Sequence, residues 1–199
     1  MALLRKIIPF TKRHPWKTGL LLLLLIFLAT VLITSIRDFI ARKQVANSMD
    51  KLYQLFHTQG PGQAERFSDC WRLQEKTGPG AKICEENIKV TIAIDRGAPP
   101  SYPVNAEKAE IDADNKLATL SAILRSAQDF KPNNLQGGLP DRVRIYDGST
   151  SFTRGSYTYR HTNSGTKCIA NYDYNKEKLQ LTLRFYCDTT SWLTRNLNI

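Results

Sequence analysis

CIANYDYNKEKLQLTLRFYC, residues 168–187, alternates apolar and polar residues twice, with a charged turn between the two runs. Cys168, Ala170, Tyr172 and Tyr174 share one face of a first strand. Leu179, Leu181, Leu183, Phe185 and Cys187 share one face of a second, with Gln180, Thr182, Arg184 and Tyr186 opposite. A period of two is the signature of a half-buried strand. One packed face and one wet face is how an antiparallel sheet behaves. Asn175-Lys176-Glu177-Lys178 supplies the turn, so the segment reads as a hairpin with both cysteines on its inward side.

Upstream of the hairpin the same period runs from Arg142 onward. Val143 and Ile145 alternate with arginines, and Tyr157 and Tyr159 share a face. Ile88 to Ile94 (IKVTIAI) is a further predicted strand. Residues 59–87, with Gly-Pro-Gly triplets at 60–62 and 78–80 on either side of Cys70-Trp71, read as a loop region. The Pro99-Pro100-Ser101-Tyr102-Pro103 run blocks regular structure. Beyond it Ala106, Ala109, Ala113, Leu117, Leu120, Leu124 and Ala127 form a helical stripe that Asn105 caps and Lys131-Pro132 ends. Residues 59–199 are thus expected to form one α+β domain, with a helix and a C-terminal antiparallel β-sheet.

The N-terminal part is of another kind. Thr18 to Ile36 (TGLLLLLLIFLATVLITSI) holds no charge and no proline. At about 1.5 Å per residue this helix crosses most of a hydrocarbon core of about 30 Å. It exceeds a signal-peptide apolar region of about 7–15 residues. Arg37, Asp38, Phe39 and Ile40 follow it in place of a small-residue cleavage site. An uncleaved transmembrane helix, 18–36, is the reading. Phe39, Ala46, Met49, Tyr53 and Phe56 then step by threes and fours, which predicts a juxtamembrane amphipathic helix over 37–58. Together the two would run roughly 60 Å.

Residues 1–17 form a basic tail with Arg5, Lys6, Lys12, Arg13 and Lys17 and no acid, half of the net charge of +10. The excess beyond the membrane is modest and mixed along the chain, which suits a solvated surface, and no nucleic acid is expected as a partner. Arg37, Arg42, Lys43 and Lys51 nearly balance the tail on the other side of the span. Lysine and arginine counts therefore leave orientation open. The four cysteines decide it, since all lie C-terminal to the span and an even number suits an oxidising compartment. The tail is placed in the cytoplasm and the domain outside, with the lipid bilayer as one partner and an envelope protein as another.

Cys70 and Cys84, and Cys168 and Cys187, are spaced too widely for the close pairs of a zinc site. Four cysteines allow three pairings. Local pairing, Cys70–Cys84 and Cys168–Cys187, is expected, because the latter two share one hairpin. Each bond would contribute about 3 kcal/mol.

No catalytic constellation, metal set or cofactor motif emerges. Ser48-Met49-Asp50-Lys51 and Ser164-Gly165-Thr166-Lys167 match S-x-x-K, and Lys76-Thr77-Gly78 matches K-T-G, but the order that penicillin-binding enzymes need is absent. Asp112-Ala113-Asp114-Asn115 begins like a calcium loop without its glycine or closing glutamate. Leu181 to Cys187, with Arg195 downstream and His161 upstream, is faintly similar to the sortases. That resemblance would imply a thiol transpeptidase using Cys187, although Tyr186 stands where that family places a threonine. A long helix apolar in its first half, followed by an antiparallel sheet with a late disulfide, resembles the outline of type IV pilin-like proteins. That likeness implies a subunit of a cell-surface assembly, although Leu20 and Leu24 replace the family's aromatic residue and glutamate.

Six of eight tyrosines lie between Tyr146 and Tyr186, interleaved with arginines. Tyrosine and arginine are favoured at binding surfaces. Arg142, Arg144, Arg154, Arg160, Arg184 and Tyr186 on the outer face of the sheet are therefore the candidate interaction surface. The whole describes a single-pass extracytoplasmic protein acting in binding or envelope assembly rather than catalysis.

Overall fold

A computed structural model describes residues 15–75, 78–133, 137–143 and 152–191 of the chain. Most of the basic tail, the Lys76-Thr77 part of K-T-G, Arg144, Ile145 and Tyr146 lie outside these residues. Residues up to Ile40 and residues from Ala41 onward form two compact units. Helix α1, Pro15–Gln59, contributes to both. Its proline stands at the first helical position, where no backbone N–H is needed. In the first unit Leu20 to Leu25 are each more than half exposed, and the most apolar 18-residue window has a mean hydropathy of 2.8 with none of it buried.

In the second unit, residues of α1 bury Val45, Met49, Leu52 and Phe56, one helical face by spacing. Met49 and Phe56 are as the predicted stripe has them, while Val45 and Leu52 replace Ala46 and Tyr53. Ala46 and Tyr53 flank the seam half-buried, and Phe39 is 68 % exposed. The last helical bond runs from the Gly60 N–H to the Phe56 carbonyl at 2.9 Å, and Pro61, with no N–H, cannot extend it. A Cβ at Gly60 would sit 2.3 Å from that oxygen, so only glycine fits.

The predicted loop at 59–87 is instead a long antiparallel hairpin, β1 (Gln63–Glu75) and β2 (Gly78–Ala93), in register with Cys70 opposite Cys84. Its period-two signal is hidden because β1 is an edge strand. Arg66, Ser68 and Cys70, on the side that faces the core further along the sheet, are polar or sulfur-bearing. Arg66 is used there to bind Asp50 of α1 and, at 3.3 Å, Glu86. Among the described side chains of β2, Ile88, Val90 and Ile92 reach the core, as does Ile94 just beyond the strand; these are the alternating apolar residues of the predicted strand.

Helix α2, Ala106–Ser126, begins where Asn105 Oδ1 accepts the Lys108 N–H at 3.1 Å. It buries Ala109, Ala113, Leu117, Leu120 and Leu124, as the stripe predicts, together with Ser121 and Ile123. It ends at Ser126, ahead of the predicted Lys131-Pro132 stop, with the N–H of the capping Ala127 donating to the Ile123 carbonyl at 3.2 Å, and Phe130–Pro132 then forms strand β3 against β4 (Phe152–His161). Strands β5 (Lys167–Asn175) and β6 (Gln180–Asp188) are the hairpin read from the sequence. Leu179, the first of the predicted apolar row, packs half-buried against the core from the turn, with φ +46°, and its carbonyl accepts the Ile94 N–H at 2.7 Å.

The sheet is antiparallel throughout, in the order β1-β2-β6-β5-β4-β3. The chain leaves β2, crosses with α2 to the opposite edge, and meanders back until β6 slots between β5 and β2. One core cluster joins the inner side chains of β2, β4, β5 and β6 to both helices. Both cysteine pairs are closed as predicted, Cys70–Cys84 and Cys168–Cys187, and no cysteine is free.

Candidate functional site

The face of the sheet opposite this core carries cross-strand rows of polar side chains. Strand pairing places Arg154 opposite Asp173 and Asp173 opposite Thr182 in one row. Two residues along, Ser156 lies opposite Asn171 and Asn171 opposite Arg184. These side chains border an open trough of about 500 Å³. Period two puts them all on the wet face, because their chain neighbours Tyr172, Tyr174, Leu181, Leu183 and Phe185 occupy the dry one.

The trough is held by charge-assisted bonds. Arg154 Nε donates to Asp173 Oδ2 at 3.2 Å. Arg184 donates through Nε to Asn87 Oδ1 at 2.8 Å and through Nη2 to Glu85 Oε2 at 3.1 Å, and its guanidinium lies 5.0 Å from the Tyr186 ring centre. Asn87 is fully buried, and its amide is satisfied by that arginine and by the Glu85 carbonyl. Burial pushes the Glu85 carboxyl above its ordinary pKa, against the pull of Arg184 and with help from Asp188 and Asp69. Two acceptors remain. Asn171 Oδ1 and Asp173 Oδ1 are both shielded from solvent, and among the described residues no hydrogen-bond donor reaches either.

Of the residues expected to form the surface, Arg154, Arg184 and Tyr186 come together here. Arg160 occupies the far end of β4 between Lys131 and Lys167, which gives a cationic corner separate from the trough. Arg142 is not on a strand but exposed in a bend ahead of Val143, whose N–H is capped by Asp114 Oδ1 at 2.6 Å. The alternating pattern that suggested a strand at 142–143 is overridden by this cap on α2. Sequence reasoning missed Asn171, Asp173, Glu85 and Asn87. The first two are legible as wet positions of the hairpin, but an amide and a carboxylate carry neither the cationic nor the aromatic signal of a binding surface.

No family model, curated protein or solved structure matches this chain. Its chemistry must therefore be read from its own geometry.

A second polar cluster lies inside the domain. His161 is fully buried, and its Nδ1 accepts the Ser164 backbone N–H at 3.2 Å and is 2.8 Å from Ser164 Oγ. That acceptor role places the ring proton on Nε2, which faces Ser48 Oγ at 3.0 Å. Ser48 in turn donates to Asp129 Oδ2 at 2.8 Å, and Lys51 Nζ lies 3.5 Å from the same oxygen. The serine of the S-x-x-K match thus gives its proton to a carboxylate and accepts one from the imidazole. A nucleophilic serine needs the reverse from its histidine. The three groups instead tie α1 to β4 and to the turn after α2.

Burial holds the His161 pKa below its ordinary value, with Asp129 pulling the other way. The unfolded chain therefore binds a proton that the native state resists as pH falls through about 6.5. Folding stability is expected to be complete above that pH and to decline below it, by at most about 1.4 kcal/mol per pH unit for this one group. Urea unfolding between pH 7.5 and 5.5 tests this, with His161→Gln expected to flatten the dependence. An equally steep profile in the variant would assign it elsewhere.

The remaining motifs are used structurally. Cys187 is fully buried and bonded to Cys168, so no thiolate exists there for sortase-like chemistry. Asp112 Oδ2 binds Lys116 Nζ and the Asp95 N–H, both at 2.7 Å, so the calcium-like stretch fastens α2 to the end of β2. Among the described residues no group of three His, Cys, Asp or Glu is placed to hold a metal.

Proposed function

We propose that this chain is a single-pass, membrane-anchored extracytoplasmic protein whose disulfide-braced domain acts by binding, within an envelope assembly, through the outer face of its sheet. One observation carries the reading: a wholly exposed helical window of mean hydropathy 2.8 precedes a domain in which every cysteine is paired. An apolar helix of that length is costly in water and at rest in a bilayer. Two closed disulfides persist in an oxidising compartment and not in a reducing one. Together they favour the tail inside and the domain outside. The outer sheet face supports the binding role, because its arginines are fixed in place by carboxylates.

Labelling of intact cells with a membrane-impermeant maleimide tests the topology. Cys70 is exposed and Cys84 half-buried, whereas Cys168 and Cys187 are fully buried. Labelling is expected only after mild reduction, and at the first pair. Labelling before reduction would reveal a free thiol, and protection of Cys70 after reduction in intact but not in permeabilised cells would put the domain inside. Either result overturns the proposal.

A further inference from the structure

We infer that the far end of the first hairpin is a second membrane contact, in which Trp71 sits among the headgroups of anionic phospholipid and Arg72 and Lys82 bind their phosphates. This contact presupposes the uncleaved anchor proposed above and gives the domain a surface of its own for the same bilayer.

The direction of the hairpin follows from contacts within the second unit. β1 starts just after α1 ends at Gln59, and its Arg66 binds Asp50 and, at 3.2 Å, the Ala46 carbonyl. β1 therefore runs back along α1, against its direction. Cys187 meets Met49, and His161 and Asp129 meet Ser48, so this whole end of the sheet lies beside the early turns of α1 in this unit. From Arg66 to Arg72 the strand advances about 20 Å. From Asp50 back to Ala41, where the unit begins, α1 covers only about 14 Å. The hairpin thus reaches past the point at which the chain enters the unit. The apolar span ends at Ile36, five residues before that point.

What the hairpin presents there suits a bilayer surface. Trp71 is 37 % exposed, and Phe67, on the same face by period two, is 38 % exposed. Tryptophan is enriched where a membrane meets water, because its ring is apolar and its N–H is not. Arg72 lies opposite Lys82, and both are exposed. At the same end of the sheet Lys131 lies opposite Arg160 and Arg160 opposite Lys167, all three exposed. Like charges directly opposite one another repel. Among the described residues none of these five cations has a carboxylate partner. The acids close by are engaged: Asp50 and Glu86 by Arg66, Glu85 by Arg184 and Asp129 by Lys51. Exposed Asp69 offsets one positive charge. Cations held side by side without acids call for a counter-charge from outside, and a layer of lipid phosphates close to the point of entry supplies it. The Cys70–Cys84 bond, next to Trp71, keeps the two strands together at this level.

The test uses the full chain with Trp16→Phe and Trp192→Phe, which leaves Trp71 as its one tryptophan, at one copy per nanodisc. Discs of phosphatidylcholine and phosphatidylglycerol carry a nitroxide either on the headgroup or deep on the acyl chain. Trp71 emission is expected to be quenched by the headgroup nitroxide and to stay nearly unchanged with the deep one. Arg72→Gln and Lys82→Gln should each lower the ratio of docked to free hairpin about fivefold, and discs of phosphatidylcholine alone should lower it too. Both side chains are exposed, so the melting transitions of these variants should not move. The inference is overturned if the headgroup nitroxide leaves Trp71 bright, if the deep one quenches it more, or if removing charge from protein and lipid changes nothing. Quenching that appears only in discs with two copies would overturn it in favour of a contact between copies. A chain that inserts into discs but keeps Trp71 in water would sink this contact and leave the anchor standing. A chain that stays dispersed without any lipid would overturn the anchor as well.

Discussion

Phe185→Ala is expected to cost about 3–5 kcal/mol of folding free energy, the range for a large aromatic removed from a packed core. Phe185 is fully buried on β6, the strand that links the first hairpin to the rest of the sheet. Its ring meets Phe130 at 5.0 Å and Tyr159 at 5.6 Å between centres, both edge-on, as aromatic pairs prefer. It lies opposite Ala170 on one side and Ile88 on the other, so alanine there would leave two small residues side by side. Domains of this kind have only about 5–15 kcal/mol to lose. Urea unfolding followed by near-ultraviolet dichroism would show the midpoint falling sharply, with Phe185→Leu losing less. A change under about 1 kcal/mol would mean that the ring is not in the core.

The two disulfides should be unequal when removed, although the loop-entropy model ranks them alike. Cys168 and Cys187 close a separation of 19 residues, and Cys70 and Cys84 one of 14. Each would restrict the unfolded chain by about 3 kcal/mol. The difference lies in the folded state. Cys168–Cys187 joins strands at the centre of the sheet, both residues are fully buried, and Cys187 Sγ is 3.8 Å from Met49 Sδ of α1. Its double alanine variant should lose the full amount or fail to fold. β6 pairs with β2 only from Glu85 onward, and among the described residues the hairpin tip beyond Cys84 is paired only within β1 and β2. Removing Cys70–Cys84 should fray that tip and open it to proteolysis, while the global midpoint moves by less than about 1 kcal/mol. Equal global losses would show that the tip folds as one unit with the sheet.

Much of the architecture was legible because local patterns carried it. The 168–187 hairpin, α2 with its Asn105 cap, and the apolar start of α1 each announce themselves by a repeat within one element. The cysteine pairing followed from the same logic, since each pair is close in sequence. The first hairpin was not legible. β1 (QAERFSDCWRLQE) lies at an edge, where Arg66 and Ser68 on its core side bind Asp50 and Glu86, and among the described residues of that row only Ala64 packs against the hydrophobic core. The glycine-proline triplets around it imitate a loop.

Long-range convergence was invisible for a different reason. Ser48 and His161 are 113 residues apart, and Ser48 and Asp129 are 81 apart, and no local period relates them. The trough is similar, since Arg184 is held by Glu85 and Asn87 from the opposite end of the domain's sequence. The sequence alone determined that an apolar helix precedes a disulfide-braced α+β domain, because propensity and hydrophobic period are properties of neighbouring residues. Only the tertiary structure decided that β6 inserts between β2 and β5, and so which polar side chains meet across the outer face. That choice depends on which strands can close long loops onto one core, a free energy that belongs to the whole chain.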